Sequence, residues 1–190
     1  MEKLFCGLSL AVCMVFTAPM ALAEDIGLSA QQLYELKTEG KETILFIDVR
    51  DPVEIMFVGS ADLVDSNIPF MLVDRYQLDE DKGVFRMYKN PHFINELRNA
   101  LRERNLAEDT MVVTMCRSGS ERGEPSAEVL REAGFNAYYV INGFQGSAVK
   151  EGDKAGFRIQ NGWQNSGLPW SAKMNAAKIY RTPKAEPLPH

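Results

Sequence analysis

Short apolar runs alternate with helical patterns along most of the chain. Each run is nearly continuous in its apolar character, as expected for a strand buried on both faces of a parallel sheet. These runs occupy residues 43–47, 111–115 and 137–141, with a further short run at 70–73. Apolar residues recur at helical spacing within residues 29–40, 90–104 and 124–134. The alternation predicts a single α/β domain with a mainly parallel sheet of about five strands and helices on both faces.

The N-terminal end departs from this pattern. Lys3 precedes an apolar stretch at residues 4–16, and Ala21-Leu22-Ala23 has the small-residue spacing of a signal-peptide cleavage site. A membrane anchor is the alternative interpretation, but the stretch is short for spanning a bilayer. We therefore expect residues 1–23 to be a cleaved signal peptide and the mature protein to be exported, to the periplasm.

The C-terminal part of the chain has two further irregular segments. Residues 145–161 are rich in glycine and charge, which predicts a surface insertion. Residues 172–190 carry scattered charges and three prolines, which predicts a mobile tail. The folded domain is accordingly expected to span residues 24–171.

Composition and charge narrow the possible partners. The chain of 190 residues is 45% hydrophobic and 25% charged, as is ordinary for a soluble globular protein. Its formal net charge of −5 argues against nucleic acid or an anionic membrane surface as a partner. We expect the mature protein to work without contact with a membrane.

Removal of the signal peptide changes the cysteine count. Cys6 and Cys13 would be lost, so Cys116 would be the single thiol of the mature chain, and no intramolecular disulfide could form. One cysteine with His92 and His190 gives no metal-ligand spacing. We expect neither a metal nor another cofactor.

The segment whose residue types indicate a reactive site begins at Cys116, where a predicted strand meets a predicted helix. It continues through Arg117, Ser118, Gly119, Ser120 and Glu121 to Arg122. Backbone N–H groups at such a junction converge on one point, and the helix dipole adds positive potential there. The same field stabilises a thiolate and makes the cysteine nucleophilic. A buried, inert cysteine is the alternative interpretation.

This segment resembles the active-site loop of rhodanese domains. The motif Cys116-Arg117-Ser118-Gly119 is similar to the start of that loop, and residues 46–54 resemble the first rhodanese signature. Residues 127–135, 142–144 and 162–169 are similar to later family segments in the same order. The resemblance implies that Cys116 is a sulfur-accepting nucleophile and that residues 117–122 form an anion cradle. It also implies that Asp48 and Arg50 brace the site.

Two departures from the family pattern bear on function. Residues 58–63 stand where the family usually has a Gly-His-Ile-Pro-Gly-Ala segment. Five residues, 117–121, separate Cys116 from Arg122, whereas sulfurtransferases of this family typically have four. The longer spacing resembles that of the Cdc25 dual-specificity phosphatases, which share the rhodanese fold, and of the related arsenate reductases. A wider cradle suits a tetrahedral phosphate or arsenate.

Three functional hypotheses follow from these features. The first is a sulfurtransferase of the thiosulfate type, which takes sulfane sulfur from a small anionic donor onto Cys116 and passes the persulfide sulfur to a thiol acceptor. The second is a cysteine phosphatase or arsenate reductase with phosphate or arsenate as the anion. The third is a non-catalytic module that binds an anion or carries a persulfide. In each of them Arg122 is expected to place its planar fork against an oxyanion.

Overall fold

A computed structural model describes residues 25–40 and 42–181. The predicted signal peptide, residues 1–23, and the end of the predicted tail, residues 182–190, lie outside the described residues. Within the described part of the chain, no helix is both long enough and apolar enough to cross a membrane.

The described residues form four α-helices and nine strands. In chain order these are β1 (Gly27–Leu28), α1 (Ala30–Glu39), β2 (Ile44–Asp48), α2 (Pro52–Val58), β3 (Ser60–Ala61), β4 (Ser66–Asn67), β5 (Met71–Asp79), β6 (Val84–Lys89), α3 (Phe93–Glu103), β7 (Met111–Met115), α4 (Gly123–Glu132), β8 (Ala137–Val140) and β9 (Trp170–Ser171). A short 3₁₀ helix, Gln164–Ser166, precedes β9.

The main sheet has five parallel strands in the order β1-β8-β7-β2-β4. Its longest pairing joins β2 to β7, where Ile44 lies opposite Met111 and Asp48 lies opposite Met115. All five residues of β2 are buried, because both faces of the sheet are covered. The predicted α/β class and its mainly parallel five-stranded sheet are confirmed.

Helices and loops cover both faces of the sheet. On one face, Leu97 of α3 and Leu130 of α4 belong to the same buried cluster as Leu45. On the other face, Leu33 of α1 packs in a second cluster with Phe46 and Trp163. Burying each such side chain contributes about 1.5–3 kcal/mol to folding, so these clusters fix the positions of the helices.

Helix α2 begins with local signals that the pattern analysis does not use. Asp51 accepts a hydrogen bond from the Val53 N–H at 2.9 Å, and Glu54 accepts one from the Asp51 N–H at 3.2 Å. Pro52 occupies the first turn, where its missing N–H costs nothing. This capping arrangement explains why a helix starts directly after β2.

Strands β5 and β6 form an antiparallel hairpin outside the main sheet. The predicted strand at residues 70–73 is only the beginning of β5, and β6 is not predicted at all. Residues 75–78 and 80–86 are exposed, so the hairpin has no buried face whose alternation would mark it as a strand pair.

The first residues of the predicted tail lie against the domain. The Asn67 N–H donates to the Lys178 carbonyl at 2.8 Å, and the Tyr180 N–H donates to Asn67 Oδ1 at 3.2 Å. Between this segment and residues such as Ile55 and Val64 lies a cavity of about 370 Å³, whose lining does not include Cys116. The mobility expected for residues 172–190 stays a prediction.

Candidate active site

Cys116 directly follows β7, the middle strand of the main sheet, and Gly123 begins α4. The intervening residues form a loop at the carboxyl end of the sheet, where open α/β sheets place their ligand sites. The Val49 N–H bonds the Met115 carbonyl at 2.9 Å, so the end of β2 runs beside the start of the loop. The sequence-predicted loop and the predicted brace at Asp48 and Arg50 are thereby brought together.

The sulfur of Cys116 is enclosed by backbone. The residue has no exposed surface, and the Gly119 N–H donates to Sγ at 3.2 Å. Gly123 lies beside the sulfur, and a Cβ there would be in ordinary contact with Sγ at 3.5 Å. The Glu124 N–H bonds the Gly119 carbonyl at 2.9 Å and closes the loop onto the start of α4. In this conformation of the loop the sulfur is therefore not open to solvent.

Two glycines allow the loop to pack on the residues that follow β8. Gly119 has φ +94°, and a Cβ on it would lie 2.7 Å from the Asn142 nitrogen. Gly143 has φ +55°, and a Cβ on it would lie 2.3 Å from the Cys116 carbonyl oxygen. The Phe144 N–H donates to that same carbonyl at 2.8 Å. The position of Cys116 is therefore set by residues 142–144 as well as by β7.

Arg122 is held by a carboxylate. Its Nη2 donates to Glu54 Oε1 at 2.8 Å, and its Nη1 donates to Glu54 Oε2, so the contact is bidentate. Burial alone would raise the pKa of Glu54, but the hydrogen bonds and charge of Arg122 outweigh it and lower that pKa. Burial likewise opposes the charge of Arg122, yet its hydrogen bonds with Glu54 raise the pKa of the guanidinium. Both groups are therefore charged, and the Arg122 fork is engaged.

Asp48 and Arg50 form a fully buried ion pair. Arg50 Nε donates to Asp48 Oδ1 at 2.9 Å, and Arg50 Nη2 donates to the Gly59 carbonyl at 2.9 Å. The guanidinium carbon lies 4.5 Å from the centre of the Phe144 ring. Because Phe144 binds the Cys116 carbonyl, this pair supports the loop through Phe144. Arg50 Nη1 has no hydrogen-bond partner among the described residues.

The other predicted cradle residues surround the sulfur unequally. Gly119 is buried, Ser118 is half-buried, and Ser120 and Glu121 are exposed. Arg117 is exposed, and its Nε donates to Gln145 Oε1 at 2.9 Å. Among the described loop residues, Gly119 donates a hydrogen bond to the sulfur.

The pattern analysis misses two residues that shape the site. Glu54 lies in the first signature, and its capping spacing with Asp51 is a local signal for helix α2 that says nothing about Arg122. Phe144 lies directly after Asn142-Gly143, and its contact with Arg50 depends on chain segments far apart in sequence.

The fold is thus a parallel α/β sheet with a cysteine loop at its carboxyl edge. Residues 29–148 match the family of the rhodanese-like domain, and the chain belongs to that family. The family includes sulfurtransferases and cysteine phosphatases, and many of its members are non-catalytic.

The chain is also similar to solved structures. The crystal structure of Rv0390 from M. tuberculosis is 29% identical and aligns with a TM-score of 0.56, covering 77% of this chain and 97% of that one. A rhodanese-related protein from Thermoplasma volcanium is 24% identical with a TM-score of 0.43, covering 77% of this chain and 98% of that one. No curated protein matches the sequence.

Proposed function

We propose that the protein is a sulfurtransferase whose Cys116 accepts sulfane sulfur from a small anionic donor of the thiosulfate type. The thiolate attacks the outer sulfur of the donor, a new S–S bond forms at Sγ, and the donor's own S–S bond breaks. Its electron pair leaves with sulfite. A thiolate acceptor then attacks the outer sulfur of the Cys116 persulfide, takes that sulfur and regenerates the Cys116 thiolate.

The observation that carries this proposal is the bidentate contact between Arg122 and Glu54. A phosphoryl or arsenate group attacked by Cys116 would place its charged oxygens in the cradle, where the closing arginine must stabilise them. Here that arginine, Arg122, is already paired with the Glu54 carboxylate. A sulfane donor needs less from Arg122, because its outer sulfur meets Cys116 while its oxygens stay one bond farther out.

The immediate surroundings of the sulfur support the same reaction. The Gly119 N–H at 3.2 Å from Sγ is a donor to electron-rich sulfur, and the N-terminal end of α4 adds positive potential. Cys116 also belongs to the buried cluster that includes Leu97 and Leu130. A polarisable persulfide suits surroundings that combine apolar side chains with a backbone donor.

The phosphatase or arsenate reductase alternative rests on the spacing of five residues between Cys116 and Arg122. For such a reaction Arg122 would have to exchange Glu54 for the substrate. The binding-module alternative rests on the closed state of the loop, in which Cys116 has no exposed surface.

One experiment separates the three functions. The reduced protein is treated with thiosulfate, and its intact mass is measured before and after addition of a thiol acceptor. We expect a mass increase of one sulfur atom, absent in Cys116→Ser, that disappears with acceptor. Hydrolysis of an aryl phosphate or reduction of arsenate, without a persulfide, would instead favour the second function. A stable persulfide that no thiol removes would favour the binding module.

We also propose that the protein acts after export, in the periplasm. The support is the order of features in residues 1–23, where a positively charged residue precedes an apolar stretch and then the small residues of a cleavage site. N-terminal sequencing of the protein from a periplasmic fraction should begin at Glu24, and recovery of the full-length chain from the cytoplasm alone would contradict the proposal.

A further inference from the structure

The segment at residues 145–161 folds back against the start of the Cys116 loop. Its end is tied to its beginning by Asn165, whose Nδ2 donates to the carbonyls of Gln145 at 3.2 Å, Arg158 at 3.2 Å and Asn161 at 2.8 Å. The Ser147 N–H donates to Asn161 Oδ1 at 2.8 Å. The match to the family ends at residue 148, so Arg158 lies beyond it.

Gln145 and Gly146 hold two arginines side by side. Arg117 Nε donates to Gln145 Oε1 at 2.9 Å, and the Gln145 N–H donates to the Arg117 carbonyl at 2.9 Å. Arg158 Nη1 donates to the carbonyl of Gly146. The guanidinium groups of Arg117 and Arg158 are thus attached to two consecutive residues, directly after the loop contact made by Phe144.

The four arginines that influence this site differ in their partners. Arg122 is paired with Glu54, and Arg50 is paired with Asp48. Arg117 and Arg158 have no carboxylate partner in the ion pairs formed by the described residues. Burial first, and then the positive charge of Arg158, lower the pKa of Arg117, although the negative charge of Glu54 acts in the opposite direction.

We propose that Arg117 and Arg158 together form a second anion subsite, outside the cysteine cradle, that binds the oxygens of the donor's leaving group. The proposal rests on the proposed sulfurtransferase function and says which residues recognise the sulfur donor. Two guanidinium forks can bind a tetrahedral oxyanion through several charge-assisted hydrogen bonds. Arg117 immediately follows Cys116, and its carbonyl accepts the Gln145 N–H, so the subsite adjoins the loop that carries the sulfur.

The subsite matches the chemistry of sulfane transfer. When the Sγ–S bond forms and the donor's S–S bond breaks, the negative charge that develops on the departing sulfite is located outside the cradle. Arg117 and Arg158 would stabilise this charge without displacing Glu54 from Arg122. Arg117 and Arg158 then bind the oxyanion, a role that the sequence predicts for Arg122.

The first measurement is calorimetric titration of the reduced full chain with sulfite, which requires no turnover. We expect Arg158→Ala to weaken sulfite binding about tenfold or more, since it removes a charged hydrogen-bond partner. Arg158→Lys should restore binding only in part, because it lacks the fork. Lys154→Ala is the matched control, since it removes one positive charge from the same exposed segment.

The double variant Arg117→Ala/Arg158→Ala tests whether the two residues share one anion. Their effects on sulfite binding should be less than additive, because loss of either arginine already disrupts the shared subsite. Melting temperatures of all variants must match that of the parent. Equal sulfite affinity in the parent, Arg158→Ala and Lys154→Ala would overturn the proposal.

Persulfide formation from thiosulfate distinguishes this inference from the proposed function. Arg158-dependent sulfite binding without any persulfide would support the anion subsite while rejecting the transfer reaction. Normal persulfide formation with an Arg158→Ala KM for thiosulfate equal to that of Lys154→Ala would retain the transfer reaction and reject the subsite.

Discussion

Glu54 binds both terminal nitrogens of Arg122 through its two carboxylate oxygens, although 68 positions separate them in the sequence. The contact joins the first turn of α2 to the residue that closes the cysteine loop. It also determines which cations near Cys116 are free to meet a substrate. Two predictions concern this pair directly.

Glu54→Gln should make the Arg122 fork available to inorganic phosphate. We expect phosphate binding to strengthen by about tenfold. Without the Glu54 carboxylate, the Arg122 guanidinium can donate its charge-assisted hydrogen bonds to phosphate. Calorimetric titration measures this, with Glu121→Gln as a control that removes a carboxylate from an exposed position of the same loop. If both variants bound phosphate as the parent does, Glu54 would not compete with anions.

The acid stability of the parent should depend on the same pair. The folded-state pKa of Glu54 lies below its ordinary value of 4.5, so the ionised carboxylate stabilises the fold above about pH 4.5. This contribution is lost as the pH falls through the folded-state pKa. Denaturant unfolding across that range should show the stability difference between parent and Glu54→Gln shrinking with acid. A difference that stays constant would contradict the assigned ionisation.

Asp48→Asn should destabilise the protein by about 3–5 kcal/mol, because it leaves the Arg50 charge buried without a compensating partner. Asp48 and Arg50 have no exposed side-chain surface. The matched control is Asp79→Asn, which breaks the pair between half-buried Asp79 and exposed Lys82 and should cost about 0–1 kcal/mol. Equilibrium denaturation gives both values, and similar losses in the two variants would show that burial of the pair does not set its contribution.

Gly143→Ala should displace the cysteine loop. The added Cβ would lie 2.3 Å from the Cys116 carbonyl, and a shift of the nucleophile by about 1 Å is enough to lower turnover about a hundredfold. Gly83→Ala is the control, since Gly83 has φ +62° but no atom within 4 Å of the added Cβ. That control should lose only about 1–2 kcal/mol of stability and keep its turnover. Unchanged persulfide formation in Gly143→Ala would mean that the loop tolerates displacement.

The sequence predicts the parts of the fold in which burial leaves a long pattern. Strands β2, β7 and β8 are continuous apolar runs because both sheet faces are covered. Strands β1 and β4 have two residues each, too few to show any period. The hairpin escapes prediction for a different reason, since most of its residues face solvent on both sides.

The part of the candidate site that lies in one continuous segment can be predicted from the sequence. The loop from Cys116 to Arg122 is visible as a strand followed by small, polar and cationic residues before a helix. Glu54 is harder to find, because its carboxylate also accepts the Asp51 N–H and is fully accounted for as a helix cap. The location of Arg158 beside Arg117 depends on the Asn165 amide and on how the intervening segment folds.

The enclosure of Sγ has a consequence for the chemical survival of the protein. A lone thiol that reaches peroxide passes through sulfenic to sulfinic acid, and the later step is irreversible in most proteins. Cys116 exposes no surface, and Gly123 and the Gly119 N–H occupy the space around its sulfur. Peroxide therefore has no open path to the sulfur while the loop keeps this conformation. The resting loop therefore works as a shield, and the oxidative lifetime of the protein depends on how often that loop opens.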